Sequence, residues 1–202
     1  MIGSGDNDNL NKALSILQQG GIILAPTDTV WGLMCDYKNA EAVASIFRIK
    51  KSRYKPMAIL CDSLESVDKL EVEMPVDVRR IAERFWPGPL TLILKSRVPG
   101  IEYIAGKGNS IGVRVPDLEE LRGLIKKFGR PLAATSANIS GQGQALALDD
   151  VPDEITLNAD YICRFAADPS GQASTVVDCS SEKLKLIRVG VISLEILEKA
   201  MN

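Results

Sequence analysis

The 202-residue sequence contains no histidine. This absence excludes the Ser-His-Asp and Cys-His nucleophilic mechanisms and the two-histidine zinc site of metalloproteases. It also removes the side chain that most often transfers protons near neutral pH. Catalysis by this chain therefore has to depend on cations, hydroxyls, backbone amides, carboxylates or a metal ion that the substrate carries.

Cysteines are few and scattered, and long apolar runs are missing. Cys35, Cys61, Cys163 and Cys179 form no C-x-x-C pair, which favours reduced thiols in the core over disulfides or a metal site. No stretch approaches the roughly 18 apolar residues that a membrane span needs. The N-terminal residues MIGSGDNDNLNK contain no apolar signal core. We therefore expect a cytoplasmic protein with no membrane association.

The overall charge is small. A formal net charge of −2 and a pI near 5.4 argue against a protein that coats nucleic acid along a whole face. A local basic pocket can still dominate the field at one site. Hydrophobic residues make up 46% of the chain and charged residues 25%, values typical of globular proteins. We predict one domain that spans residues 1–202.

The chain is organised around residues 22–61. Short apolar runs at Ile22–Ala25 and Met57–Cys61 predict two buried strands, and apolar residues at helical spacing predict a helix over about residues 40–50. A polar turn, Pro26–Gly32, follows the first strand, and a cationic loop precedes the second. We interpret the stretch as a βαβ-type unit. Its basic cluster puts five cations into eight residues: Arg48, Lys50, Lys51, Arg53 and Lys55.

Helices and short apolar strands alternate in the rest of the chain. Together they predict an α/β fold with a mixed sheet. Further helices are predicted after Asp8 or Asn9, over 64–70 and 76–85, after Asp117, and over 193–201. Further strands are predicted over 90–95, 111–115, 131–136, 161–164, 175–178 and 184–188.

Two glycine-rich stretches do not match nucleotide-binding motifs. Residues 100–108 have a glycine spacing one residue too long for a phosphate-binding loop, and Gly108 stands where the metal-binding hydroxyl should be. Gly141 and Gly143 follow a strand but lack the third glycine of a dinucleotide site. If the chain binds a nucleotide, it does so by another route.

Polar side chains end several of the predicted strands. Such strand ends are typical of a small-molecule site that holds an anion together with an amino or hydroxyl group. The basic cluster fits either a solvated helix end or anion binding, and Arg114 fits either a structural ion pair or a ligand carboxylate. The polar turn after the first strand fits either a ligand site or hydroxyls that bond their own backbone.

Six motifs occur in order along the chain and cover about residues 10–195, nearly its whole length. They are P-T-D-T-V-W-G, a basic segment before K-P, F-W-P-G-P-L-T, G-V-R-V-P, S-A-N-I-S-G, and S-T-V-V-D followed by R-x-G. They resemble the motifs of YrdC-like domains, the threonylcarbamoyl-AMP synthases. The resemblance implies a YrdC-like α/β domain, with a twisted mixed β-sheet flanked by helices around a positively charged cavity.

The resemblance also implies an activity, that of an L-threonylcarbamoyladenylate synthase, a nucleotidyltransferase. Such an enzyme forms threonylcarbamoyl-AMP and pyrophosphate from L-threonine, bicarbonate or CO2, and ATP. Mg2+ is carried with the ATP, and no protein residue is expected to bind a metal. A partner enzyme then transfers the threonylcarbamoyl group to tRNA, so the implied partners include tRNA or a tRNA-modifying enzyme.

The resemblance assigns roles by motif. The family's K-x-R lysine corresponds to Lys50 or Lys51, because the basic segment here is shorter than the usual family spacing. The implied catalytic residues are Lys51, Arg53 and Lys55. The implied threonine contacts are Thr29, Arg114, Ser136 and Ser174. The implied ATP contacts are Lys50, Arg53, Lys55, Ser110, Asn138 and Arg188.

Three other functions stay open, the third being an inactive paralogue that the shortened basic segment allows. The first is an RNA-binding YrdC-like protein without synthase activity, in which Tyr54 and Trp31 stack on bases beside the cations. The second is a carbamoyl-transfer paralogue, since YrdC-like domains also occur in hydrogenase-maturation proteins. Salt-sensitive RNA binding without release of pyrophosphate would indicate the first.

Overall fold

The computed structural model describes residues 4–52, 56–106, 108–139, 143–167, 169–181 and 183–201. Helices and strands alternate along these residues. The helices are α1 (Ser4–Gln18), α2 (Ala40–Ile49), α3 (Leu64–Asp68), α4 (Val76–Phe85), α5 (Glu119–Phe128), α6 (Asp153–Thr156) and α7 (Leu194–Met201), with one 3-10 turn at Leu148–Asp150. The strands are β1 (Ile23–Pro26), β2 (Trp31–Asp36), β3 (Ala58–Leu60), β4 (Val72–Glu73), β5 (Leu90–Ser96), β6 (Ser110–Arg114), β7 (Leu132–Ser136), β8 (Tyr161–Ile162), β9 (Thr175–Asp178) and β10 (Lys185–Arg188).

One mixed sheet contains all of these strands. Its order is β10-β9-β5-β6-β3-β7-β2-β1-β8, and β4 pairs with β5. The pairs β1/β8, β3/β6 and β5/β9 are parallel, and the other pairs are antiparallel. The predicted α/β class with a mixed sheet is confirmed.

The interpretation of residues 22–61 as a strand, a turn and a helix missed β2. This strand forms an antiparallel hairpin with β1, so the polar turn is shorter than predicted and is closed by the bond from Thr27 N–H to the Val30 carbonyl at 3.1 Å. All six residues of β2 are buried. Its side chains therefore lack the alternation of apolar and polar residues that marks a half-exposed strand.

Because β2 lies between β1 and α2, the predicted βαβ-type unit, which had β1 as its first strand, is wrong. The strands that flank α2 are β2 and β3, and both are antiparallel to β7, which lies between them. They therefore run in the same direction without pairing. The strand that was predicted to begin the unit, β1, runs in the opposite direction to both.

Two helix starts also differ from prediction. The first helix begins at Ser4, upstream of the expected caps. The Asn9 side chain instead accepts hydrogen bonds from the Tyr161 hydroxyl at 3.0 Å and from the Arg164 N–H at 3.3 Å, so it joins α1 to the segment around β8. Helix α5 begins at Glu119, and Leu118 rather than Asp117 is its N-cap.

Both faces of the sheet are packed, and the cysteines lie in the resulting core. Helices α2 and α4 pack on one face, while α1 and α5 cover the β1, β2 and β7 part of the other. All four cysteines are buried free thiols, which confirms that prediction. None of the helices within the described ranges is long and apolar enough to cross a membrane.

Candidate active site

A cavity of about 440 Å3 opens on the face of the sheet that α1 and α5 leave uncovered at β5, β6 and β9. This volume lies within the range typical of small-molecule sites. Strand β6 shows how the sequence builds it. Ile111 and Val113 point into the core, while Ser110, Gly112 and Arg114 line the cavity. Gly112 adds no side chain to the cavity wall, and a Cβ at this position would lie 3.2 Å from the Thr91 Cγ2.

Arg114 is the most constrained cation of the cavity and is only 5% exposed. Its Nε donates to the Gly88 carbonyl at 3.0 Å, its Nη1 to Thr29 Oγ1 at 2.8 Å, and its Nη2 to Asp28 Oδ1 at 2.6 Å. Burial lowers the pKa of Arg114, and the charge and hydrogen bond of Asp28 oppose that shift. The structure thus contains the structural ion pair that the sequence left open.

Asp28 is a site residue that the sequence analysis did not assign. It lies between Thr27 and Thr29 in the turn after β1, and the only signal was its place in the P-T-D-T motif. Its carboxylate keeps the Arg114 guanidinium against the turn, 86 residues away in sequence. Local sequence patterns cannot show that two residues so far apart in the chain form a pair.

The turn hydroxyls form a chain that starts at Arg114. Thr29 Oγ1 accepts from Arg114 and lies 2.9 Å from Thr27 Oγ1. Thr27 Oγ1 donates to the Val30 carbonyl at 2.7 Å and accepts from two backbone N–H groups of the turn. The Thr27 hydroxyl therefore satisfies its own backbone, while the Thr29 hydroxyl receives the guanidinium.

Arg188 and Ser174 form a second polar group on the cavity wall. The Arg188 Nε and Nη2 donate to the Ser174 carbonyl at 3.1 and 2.9 Å, and Nη2 also contacts Ser174 Oγ at 3.2 Å. Ser174 Oγ lies 2.8 Å from Thr91 Oγ1. Burial first, and then the positive charge of Arg114, lower the pKa of Arg188. The two guanidinium groups thus act on one another across the same cavity.

Lys50, and not Lys51, reaches the strand ends beside the cavity. The buried Lys50 ammonium donates to the Ser136 carbonyl and to Asn138 Oδ1, the latter at 3.3 Å. Ser136 lines the cavity and donates to the same Asn138 oxygen at 2.5 Å. Lys51 is exposed and forms an ion pair with Glu154 at 2.7 Å.

The chain is similar to known proteins over most of its length. The family model Sua5/YciO/YrdC, whose description is "Telomere recombination", matches residues 15–190. The chain belongs to this family. It is 33% identical over 191 residues to the threonylcarbamoyl-AMP synthase of Pyrococcus abyssi, covering 94% of this chain and 56% of that protein. It is 30% identical over 184 residues to the synthase of Pseudoalteromonas translucida, covering 89% of this chain and 97% of that one.

Solved structures of the Sua5/YciO/YrdC family share the fold. The crystal structure of P. abyssi Sua5 complexed with L-threonine matches with a TM-score of 0.84 at 33% identity, over 95% of this chain and 56% of that chain. The chain therefore spans a little over half the length of the P. abyssi protein. The YrdC-like fold expected from the motifs is confirmed.

Further predicted site residues are placed only in part. Ser110 lines the cavity at the start of β6. Arg53 and Lys55 lie outside the described residues, so the predicted positive charge of the whole cavity stays a prediction. Asp178, which the sequence analysis did not assign, is the one carboxylate among the described lining residues. Its Oδ1 accepts from the N–H and the hydroxyl of Ser180 at 2.9 and 2.6 Å.

Metal ligands are not clustered in this site. Within the part of the chain that the structure describes, no group of three or more histidine, cysteine, aspartate or glutamate side chains is placed to hold a metal ion. The arrangement instead offers guanidinium groups, an ammonium group and hydroxyls, which bind carboxylates and phosphates. Its chemistry is that of a site for anionic substrates.

Proposed function

We propose that this chain is a threonylcarbamoyl-AMP synthase. It would convert L-threonine, bicarbonate or CO2, and ATP into threonylcarbamoyl-adenylate and pyrophosphate. The observation that carries the proposal is the pair of guanidinium groups, Arg114 and Arg188, that meet around a cavity rimmed by hydroxyls. Relatives that carry this name in P. abyssi and P. translucida support it.

The reaction suits a protein without histidine. The threonine amine combines with CO2 to give a carbamate, with loss of a proton. A carbamate oxygen then attacks the α-phosphate of ATP, and the bond to the β-phosphate breaks to release pyrophosphate. Two anions have to meet, so the main task of the protein is to orient them and to offset their repulsion. Mg2+ enters with ATP as part of the substrate and neutralises further phosphate charge.

Arg114 is proposed to bind the threonine carboxylate. A guanidinium has five N–H donors, and the bonds to Gly88, Thr29 and Asp28 use three of them. The remaining donors suit a carboxylate, because the fork geometry of arginine matches its two oxygens. Thr29 and two lining serines would complete the threonine site: Ser136 and Ser174.

The other cations are proposed to bind ATP. Arg188 and Ser110 line the cavity, and Lys50 with Asn138 lies at the adjoining end of β7. Arg53 and Lys55, whose placement is not described, belong to this set by motif. The product would pass to a tRNA-modifying enzyme, and the reaction would take place in the cytoplasm, where ATP and tRNA meet.

One assay tests the activity. Purified protein is supplied with labelled bicarbonate, L-threonine and Mg-ATP, and we expect pyrophosphate and a labelled adenylate that both disappear when threonine is omitted. RNA binding that weakens steeply with salt, without pyrophosphate release, would instead support the RNA-binding alternative. Failure to form adenylate under any of these conditions would refute the proposal.

A matched pair of variants tests the site. Arg188→Gln should lower kcat/KM about 100-fold, because it removes a cation from the place where phosphate charge accumulates. Lys185→Gln on the same strand, whose side chain is exposed and not part of the cavity wall, is the control and should leave kcat/KM unchanged. Equal effects of the two changes would contradict the role of Arg188.

A further inference from the structure

A buried threonine joins two parts of the cavity wall. Thr175, at the start of β9, is 0% exposed. Its hydroxyl donates to the Ile192 carbonyl at 2.7 Å and accepts from the N–H groups of Gly190 and Ile192, both at 3.0 Å. A hydroxyl has one donor and two acceptor positions, so all three are used. One side chain thus holds the segment 190–192, which follows β10, against the start of β9.

Segment 190–192 packs closely against the backbone of Ala173 and Ser174. A Cβ on Gly190 would lie 2.0 Å from the Ala173 carbonyl oxygen and 2.5 Å from the Ser174 carbonyl carbon. The Val191 N–H donates to the Ala173 carbonyl at 3.1 Å. The two backbones therefore touch, and the Thr175 hydroxyl supplies the bonds that close the contact.

Arg188 lies immediately upstream of this contact. The pairing of β10 with β9 is regular from Lys185 to Leu186 but shifts register before Arg188. A register shift loosens the constraint that a regular ladder places on the backbone. Arg188 pairs with Val176 beyond the shift and its guanidinium binds Ser174, while the segment that follows, fixed by Thr175, holds the Arg188 backbone from its C-terminal side.

Ser174 also has contacts outside that segment. Its hydroxyl lies 2.8 Å from Thr91 Oγ1, and the next residue pairs with the β5 end through the bond from Thr175 N–H to the Pro89 carbonyl at 2.9 Å. Loss of the Thr175 hydroxyl would thus remove bonds that hold the segment after Arg188, while the contacts of Ser174 with Thr91 and of Thr175 N–H with Pro89 would stay.

We infer that Thr175 is a positioning residue for ATP, because its hydroxyl fixes the segment that places Arg188. This inference rests on the proposed function, in which Arg188 contacts ATP. It assigns a role in substrate affinity to a side chain that does not itself line the cavity. A loss of affinity for ATP, with the affinity for threonine unchanged, separates this role from a general effect on stability.

The test uses two variants of Thr175 and one control in the full chain. Thr175→Val keeps the shape and removes the hydroxyl, and Thr175→Ser keeps the hydroxyl. Val177→Ala, two residues along β9 and buried on the same face, removes core volume without touching the contact. Each variant is assayed, at a temperature where it is folded, for the Kd of ATP by calorimetry and for the KM of ATP and of threonine.

We expect Thr175→Val to raise the Kd and KM for ATP roughly tenfold, the size of effect produced when one charge-assisted hydrogen bond is misplaced. The KM for threonine should not change, Thr175→Ser should restore ATP affinity, and Val177→Ala should lower only the unfolding temperature. Unchanged ATP affinity in Thr175→Val, or equal losses in Val177→Ala, would overturn the inference.

A parent protein that binds ATP but forms no adenylate would refute the proposed function alone, since the Kd comparison still tests Thr175. If the parent does not bind ATP, both fail.

Discussion

At the scale of single residues, the site depends on buried polar groups that satisfy one another. Arg114 would be costly to bury alone, and Asp28, Thr29 and the Gly88 carbonyl offset that cost. The Asp28–Arg114 pair therefore stabilises the fold as well as preparing the site. The exposed ion pairs of this protein contrast with it, because solvent screens them.

Asp28→Asn should be strongly destabilising. It removes the negative charge beside a buried guanidinium, and breaking such a pair costs about 3–5 kcal/mol of unfolding free energy. Urea denaturation at pH 7 measures the change. Asp77→Asn is the control, because Asp77 is exposed and lies 3.9 Å from Arg80, a contact that should contribute nothing measurable. Equal losses in the two variants would show that burial of the pair does not matter.

The two neighbouring lysines should behave differently. Lys50→Ala should lower kcat/KM of the proposed synthase about 100-fold, because it removes a buried cation held at the end of β7. Lys51→Ala should have a much smaller effect, since the Lys51 ammonium is paired with Glu154 at the surface. Steady-state kinetics of both variants measure the two changes in kcat/KM. The reverse ranking would assign the K-x-R lysine of the family to Lys51.

At the scale of elements, the turns between strands place the site residues. The Pro-Gly-Pro turn that follows α4 shows this role. The Gly88 N–H donates to the Val115 carbonyl at 2.8 Å, and the Gly88 carbonyl accepts from Arg114 Nε. One residue, Gly88, therefore ties the turn both to the residue that follows β6 and to the Arg114 side chain. The F-W-P-G-P motif contributes to the site through its backbone.

Gly88→Ala should reduce both stability and threonine affinity. A Cβ at this position would lie 2.4 Å from the Phe85 carbonyl oxygen, so the turn would have to shift and move the carbonyl that holds Arg114. Overpacking of this kind costs about 1–3 kcal/mol. Thermal unfolding and threonine titration measure the two effects.

Gly123→Ala is the matched control for this glycine substitution. Gly123 lies within α5, and a Cβ there would meet no atom within 4 Å. Alanine is favoured over glycine inside a helix by about 1 kcal/mol. We expect a higher unfolding temperature and unchanged threonine affinity. A loss of threonine affinity in this variant as well would mean that the titration reports stability rather than the turn.

At the scale of the whole molecule, the sheet divides the chain into a dry core and a polar cavity. All four cysteines are buried in the core: Cys35, Cys61 and Cys179 pack in the cluster with α2 and α4, and Cys163 packs in the cluster with α1 and α5. Burial raises the pKa of each thiol to about 12. A thiol with a raised pKa stays neutral in the folded protein while the unfolded chain ionises near its ordinary value of 9.0. Folding is therefore favoured fully below that value and progressively less above it.

The unfolding free energy should fall as pH rises from about 9 toward 12. Each thiol contributes about 1.4 kcal/mol per pH unit in this window, because the unfolded chain loses a proton that the folded chain keeps. Urea denaturation in reducing buffer from about pH 7.5 to about pH 10.5, which brackets the ordinary thiol pKa, measures the slope. A variant with all four cysteines replaced by alanine should show a shallower slope; an unchanged slope would contradict the thiol origin.

Local patterns in the sequence were informative where the cause of structure is local. The bounds of α4 and β9 match prediction, because a 3.6-residue apolar period and a short apolar strand between turn residues need no distant partner. The same reasoning failed for β2. Burial of all six of its residues comes from packing on both faces of the sheet, and among its neighbours β7 and α5 are distant in the chain.

The sequence by itself determined the α/β class, the exclusion of histidine chemistry, and the polar side chains at strand ends that can bind anions. Only the tertiary structure decided which of them meet. It paired Arg114 with Asp28, joined Arg188 to Ser174, and selected Lys50 rather than Lys51 for the strand ends. The physical reason is the distance along the chain over which each effect acts. Periodicity and turn chemistry act over a few residues, whereas the order of strands in a sheet depends on packing across the whole chain.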